Sequence, residues 1–277
     1  MKKKIFIFGH TGYIGSHLIN SLNSKNFQIC GYKIPRPGQE NLDEFYKLFI
    51  EKFLKDNLDI YCIINCAGSI ECGQTQDYFF NSMFDSIFQN CLLEKKINIK
   101  YLSFNSTKIF TGGRDSYALS KKELEKNFKS VNNFYSLYID LVFEKNSPHF
   151  KTIENALKKI KFLYIPVFFP GKIFYPIDLN SLCKTINEII FGNYKLNKFI
   201  IIGNKEITFN KLIEQVNKDS NLNKKIFYIK SKLINVFPFF IKNYLLKSKS
   251  LQQYENFNWL SKLDKDKYLI RKSNNKF

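Results

Sequence analysis

Short apolar runs alternate along this chain with stretches in which apolar residues recur every three or four positions. Residues 5–8 form a continuous apolar run, as a strand buried on both faces requires, and Ile14, Leu18 and Leu22 follow at helical spacing. The alternation then repeats. It predicts a strand over 28–33, a helix over 42–54, a strand over 60–65, a helix over 78–92, a strand over 99–104, a helix over 117–128 and an extended run over 134–143. Strands alternating with helices in this way predict a doubly wound α/β fold with a parallel sheet.

The second half is more mixed. A strand is predicted over 162–169, ending at Pro170-Gly171, then a helix over 178–190 capped by Asp178. A strand over 198–202 and a helix over 208–216, with Thr208 as its N-cap, follow. Residues 234–246 are apolar, with Pro238 inside them and lysines around them. They read as an amphipathic helix of a smaller lobe or as an interfacial helix. With no repeats and no linker, the expected organisation is a main domain over 1–145 and a smaller mixed α/β lobe over 146–277, packed on the first. Further strands of the main sheet have room in that second part.

Composition narrows the class. A chain of 277 residues buries roughly three quarters of its unfolded surface and needs no disulfide or metal staple. The 43 basic against 24 acidic residues leave a net charge of +19, which raises a polyanion or membrane-surface reading. The excess is almost all lysine, accompanied by abundant Asn, Ile and Phe, the bias of an AT-rich coding sequence, and no nucleic-acid motif accompanies it. Neither a nucleic-acid partner nor stable membrane insertion is expected. Cysteines at 30, 62, 66, 72, 91 and 183 form no CxxC pair and the histidines are dispersed, so no metal site is expected. Free thiols, no signal-peptide pattern and no long apolar span point to the cytoplasm.

Directly after the first strand stands Gly9-His10-Thr11-Gly12-Tyr13-Ile14-Gly15, opening the first helix. Glycines at this spacing let the backbone turn sharply and approach a pyrophosphate, and the last lets the helix pack close on the sheet. The N–H groups and positive dipole at the helix start then bind the anion. The turn therefore predicts a Rossmann-type dinucleotide site, with Gly9, Thr11, Gly12, Tyr13, Ile14 and Gly15 against the cofactor. The second strand of such a unit normally ends in an acid that holds the adenosine ribose. Here Gly31-Tyr32-Lys33 stands at that place, with Arg36 beyond and no carboxylate near in sequence. Lys33 and Arg36 would pair with a 2′-phosphate, which favours NADP over NAD. The alternative is that Lys33 is one more surface lysine.

Further on, Tyr117 and Lys121 lie four residues apart on one helix face, behind a strand running into Ser106-Thr107-Lys108-Ile109-Phe110. A tyrosine hydroxyl is a poor proton donor or acceptor at neutral pH, and a cation one helical turn away stabilises its phenolate. Ser106 is placed to hydrogen-bond a reacting carbonyl.

On these residues the chain resembles the extended short-chain dehydrogenase/reductases, which include nucleotide-sugar epimerases, dehydratases and keto-sugar reductases. The likeness extends over almost the whole chain, and the spacing is most similar to dTDP-4-dehydrorhamnose reductase-like enzymes. Ile63-Ile64-Asn65-Cys66-Ala67-Gly68 looks like the strand that passes beneath the cofactor, which adds Cys66, Ala67 and Gly68 to the cofactor-binding set. Asn81 stands where these proteins often carry Asn. The resemblance implies Ser106, with Thr107 as fallback, Tyr117 and Lys121 as the catalytic residues, the last two also touching the cofactor. Two departures stand out: the segment between Ser106 and Tyr117 is short, and Tyr138-Ile139-Asp140 occupies the place of a basic residue in the family.

The activity implied is reduction of a keto group on a nucleotide-linked sugar, in surface-polysaccharide sugar synthesis, with NADP or NAD. A homodimer is compatible with it. A nucleotide-sugar 4-epimerase with tightly bound NAD is the rival within the family. A non-catalytic NAD(P)-binding regulatory subunit is the rival from another class.

Overall fold

The computed structural model describes residues 2–22, 26–36, 41–69, 75–112, 115–129, 131, 133–161, 163–169, 171–230 and 259–273. The apolar segment 234–246 lies outside the described residues. The chain divides into two compact units: Met1–Asp140 with Leu179–Ile202 and Asp264–Ser273, and Leu141–Asp178 with Gly203–Leu263 and Asn274–Phe277. The chain thus leaves the first unit near the boundary drawn at 145 and returns to it twice.

The first unit is an α/β sheet protein. Its strands are β1 (Lys3–Phe8), β2 (Phe27–Tyr32), β3 (Ile60–Asn65), β4 (Lys100–Ser106), β5 (Phe134–Ile139), β8 (Lys198–Gly203) and β11 (Leu269–Ser273). They form one seven-stranded sheet in the order β11-β8-β5-β4-β3-β1-β2, and β2 through β8 pair in parallel. The helices are α1 (Tyr13–Ser21), α2 (Leu42–Asp56), α3 (Thr75–Glu94), α4 (Ser116–Asn127) and α6 (Leu179–Phe191). The chain builds outward from β1 in both directions, so the strand order reverses there. In open α/β sheets ligands bind at the carboxyl ends of the strands at such a reversal.

Aromatic side chains hold this unit together on the face where α2 and α3 pack. Phe8, the last residue of β1, is fully buried, with ring centroids 5.2 Å from Phe53, 5.7 Å from Phe88 and 5.8 Å from Tyr32. Edge-on and tilted pairs of this kind add about 0.5–1.5 kcal/mol each beyond the area they bury. The strand end that carries the glycine turn is therefore anchored from below.

The second unit holds α5 (Pro148–Lys159) and α7 (Phe209–Asp219), a parallel pair of β6 (Tyr164–Phe169) with β10 (Lys225–Lys230), and a short antiparallel pair of β7 (Ile173–Phe174) with β9 (Ile207–Thr208). Phe150, Leu157, Ile165, Val167, Leu212 and Val216 form its core. Thr208 caps α7 by accepting a hydrogen bond from the Lys211 amide, as its spacing predicts. The extended run over 134–143 ends earlier than its apolar content suggests. Pairing stops at Ile139, and Leu141 and Phe143 are apolar because they join the second core.

Candidate functional site

The glycine turn has a separate reason for each glycine. Gly9 takes a positive φ of 78°, and a Cβ there would stand 2.6 Å from the Ala67 backbone. The Gly12 amide closes the turn on the Gly9 carbonyl at 2.9 Å, and Gly12 is the N-cap of α1 without any side-chain cap. Gly15 is buried, and a Cβ on it would fall 2.2 Å from the Gly9 carbonyl oxygen. Thr11 and Gly12 are exposed, while Tyr13 and Ile14 are half-buried. The structure thus leaves a bare helix start above β1, fit for a pyrophosphate. His10 fills the side of the turn: a Cβ on Gly31 of β2 would meet its ring at 2.6 Å. The glycine in β2 is there to seat that ring.

The β3 end lies against the turn and is held rigidly. The Cys66 amide donates to the Phe8 carbonyl at 3.2 Å, and its thiol does so at 3.0 Å. Burial pushes this thiol up to about 12, which disfavours the thiolate. The Ala67 amide donates to the Asn65 side chain at 3.2 Å. Asn81 grips both backbone groups of Ser69, accepting from its amide at 3.0 Å and donating to its carbonyl at 2.6 Å. A Cβ on Gly68 would come within 3.0 Å of that Asn81 oxygen.

Beneath this loop sits a buried carboxylate that sequence reasoning missed. Asp85 of α3 is 4% exposed and accepts from Asn65 at 2.7 Å, Tyr101 at 2.5 Å and Ser103 at 2.7 Å. Burial and the adjacent carboxylate raise the Tyr101 phenol well above its ordinary range, so it remains a donor. Asp85 orients Asn65, and Asn65 orients Ala67 beside Gly9. The detectable signal was polar Asn65 closing the apolar strand β3 and Ser103 between the apolar Leu102 and Phe104.

Ser106 ends β4, half-buried, and its hydroxyl accepts from the Lys108 amide at 3.2 Å as the cap of the short 3₁₀ helix Thr107–Thr111. Thr107, the fallback, is turned inward: it is 2% exposed and donates to Asp140 at 2.7 Å. Asp140 holds Thr107 from the place where the family resemblance expects a basic residue. Asp115 caps α4 at the Ala118 amide, 3.0 Å away, and pairs with Lys108 at 2.6 Å. Burial alone would raise its pKa, but Lys108 and the amides hold the carboxyl below its ordinary value. The Lys108 ammonium also lies 5.7 Å from the centre of the half-buried Tyr117 ring. One turn along α4, Lys121 is 5% exposed and donates to the Phe104 carbonyl of β4 at 2.9 Å. Lys108 thus ties the turn after Ser106 to the helix start bearing Tyr117, and Lys121 ties that helix to β4. Lys108 was not singled out from sequence.

At the far side of the glycine turn, Lys33 is exposed just beyond β2. Although no carboxylate stands near Arg36 in sequence, the fold supplies one: its guanidinium pairs with Asp77 of α3 at 2.6 Å and lies 5.6 Å from the Phe80 ring centre. The carboxylate comes from the start of α3 and not from the end of β2, so neighbouring sequence conceals it.

Among the described residues no helix is long and apolar enough to cross a membrane, and no group of three His, Cys, Asp or Glu could hold a metal ion. No protein-family profile matches the chain. Over 181 residues it is 25% identical to a CDP-abequose synthase of Salmonella muenchen, across 58% of this chain. The matched region spans 60% of that relative's length. A dTDP-4-dehydrorhamnose reductase of Bacillus anthracis in complex with NADP superposes with a TM-score of 0.63 at 16% identity, over 84% of this chain and 86% of the other. The Bordetella bronchiseptica enzyme WbmH in complex with NAD+ superposes with a TM-score of 0.60 at 15% identity, over 83% and 86%. The chain has the Rossmann-type α/β fold of these proteins.

Proposed function

We propose that this chain is an NADP(H)-dependent reductase of the extended short-chain dehydrogenase/reductase type, acting on a keto group of a nucleotide-linked sugar. The observation that carries the reading is the bare, glycine-built helix start at the strand reversal, with Ser106, Tyr117 and Lys121 gathered around the end of β4 in the same unit. The cradle fits a dinucleotide, because side chains at Gly9 or Gly15 would collide with backbone and Gly12 presents an uncapped helix start. Gly9, Thr11, Gly12, Tyr13, Ile14 and Gly15 would hold its pyrophosphate, Cys66, Ala67 and Gly68 would line its passage over β3, and Lys33 and Arg36 would meet its adenosine end.

When bound, the reduced nicotinamide supplies a hydride to a carbonyl carbon. Tyr117 delivers the proton to the carbonyl oxygen, and the Ser106 hydroxyl steadies that oxygen by hydrogen bonding. Lys121, fixed between α4 and β4 by its bond to the Phe104 carbonyl, would supply positive charge behind Tyr117 and would help hold the cofactor's nicotinamide ribose.

The CDP-abequose synthase relative supports a nucleotide-sugar substrate. The reading includes a cytoplasmic location, which suits the free thiols of Cys30, Cys62, Cys66, Cys91 and Cys183, and a homodimer, to be measured by light scattering. The test of function is consumption of NADPH with CDP-, dTDP- and GDP-linked 4-keto-sugars. A 4-epimerase retaining NAD is the second reading, favoured by one observation: Asp77 already engages Arg36.

A further inference from the structure

The Arg36–Asp77 pair carries an inference about cofactor choice, and it rests on the dinucleotide reading above. Tyr32 at the end of β2 pairs in register with Phe8, the residue before the glycine turn. The segment that follows, through Lys33 to Arg36, therefore leaves the sheet where the adenosine ribose of a dinucleotide on that turn lies. Asp77 arrives at the same place from the first turn of α3. Its side chain is 15% exposed, whereas that of Arg36 is 52% exposed. Arg36 is thus held on one edge by a sheltered carboxylate and on its face by Phe80, with the rest of its donors turned to the surface.

We propose that Asp77 is a specificity-determining residue that holds down the affinity for NADP(H) while leaving NAD(H) nearly untouched. Two effects act in the same direction. The carboxylate already neutralises the cation that a 2′-phosphate would use. It also stands across the guanidinium from any phosphate on the remaining N–H groups, roughly 6 Å away by the breadth of the fork. That lies well inside the Debye length of about 10 Å, so salt does not screen the repulsion away. The neutral 2′-hydroxyl of NAD(H) feels neither effect. Lys33, exposed just beyond β2, carries no such carboxylate partner among the ion pairs of the described residues and would remain open to a 2′-phosphate.

The experiment is titration of NADPH and NADH against the wild type, Asp77→Asn, Arg36→Ala and the double variant, with melting curves for each. Asp77→Asn tightens NADPH by about tenfold and changes NADH by less than about twofold. With Arg36 already Ala, the gain from Asp77→Asn falls below about threefold, because part of the effect runs through Arg36. Asp77→Ser gives the same readout should the Asn variant fail to melt cooperatively. An unchanged or lowered NADPH preference in both Asp77 variants overturns the proposal. If the wild type binds neither dinucleotide, the cofactor reading itself fails and takes this proposal with it. If both bind and only the Asp77 effect is missing, this proposal fails alone.

Discussion

Gly12→Val separates binding from folding, because the three turn glycines face different obstacles. A Cβ on Gly12 meets only the Gly9 carbonyl oxygen, at 3.2 Å, and its backbone at φ −78° and ψ 170° is open to any residue. Replacing a glycine N-cap by valine costs about 1 kcal/mol, or about 2–4 °C of Tm in a chain of this size. The branched side chain, however, stands at the exposed helix start where the pyrophosphate would approach. Each charge-assisted hydrogen bond lost there is worth about 1.5–3 kcal/mol, so losing two weakens the dinucleotide at least about a hundredfold. Gly15→Ala behaves in the opposite order. Its Cβ would lie 2.2 Å, 2.7 Å and 2.9 Å from three backbone atoms of Gly9 and His10, none of which can rotate away. Overpacking of this kind costs about 3 kcal/mol, and Tm falls by roughly 10 °C. Calorimetric titration with NADPH and NADH, beside thermal melts, reads both quantities. Unchanged affinity in a well-folded Gly12→Val variant refutes the phosphate-turn reasoning. A Gly12→Val melt as low as that of Gly15→Ala refutes the distinction between the two positions.

Tyr117→Phe lowers turnover at least about a hundredfold with dinucleotide affinity kept, the scale of a general acid, and near-wild-type turnover would refute Tyr117 as the proton donor. Ser106→Ala costs less turnover, whereas Thr107→Val acts on Tm through the lost Asp140 bond; a turnover loss confined to Thr107→Val would show the wrong hydroxyl was chosen. Asp85→Ala leaves the Asn65, Tyr101 and Ser103 donors without their buried acceptor and destabilises by about 3 kcal/mol or more, read by urea denaturation. Cys62, fully buried in β3 with its thiol raised by that burial, resists alkylation at mildly alkaline pH in the native protein and reacts once it is unfolded; rapid native labelling contradicts that burial.

The strands and helices of the first unit other than β11 were legible because each is long enough to show its period: residues 60–65 were read as the strand that forms, and the helix over 117–128 lies within one residue of α4. The two-residue strands β7 and β9 are too short to carry any period, and β11 owes its place to the sheet edge it joins. Helix α5 was overlooked although its signals are local: Ser147 caps it, Pro148 opens it, and Phe150 and Leu157 are buried on its inner face. In the site, the glycine turn and the Tyr117–Lys121 spacing were readable because the chemistry lies within a few consecutive residues. Asp77 beside Arg36, Asp85 beneath Asn65 and Asp140 behind Thr107 were not, because each pair is joined across the fold, 41, 20 and 33 residues apart in sequence.

Loss of reduced-nicotinamide absorbance is the most direct measure of the central claim, with purified protein, NADPH and a panel of nucleotide-linked 4-keto-sugars generated in place by a dehydratase. The account predicts stoichiometric oxidation of NADPH with at least one of these sugars, a product two hydrogens heavier by mass spectrometry, and collapse of both signals in Tyr117→Phe. A nucleotide sugar that changes configuration with no net NADPH consumption and no change of mass would contradict reduction and establish epimerisation in its place.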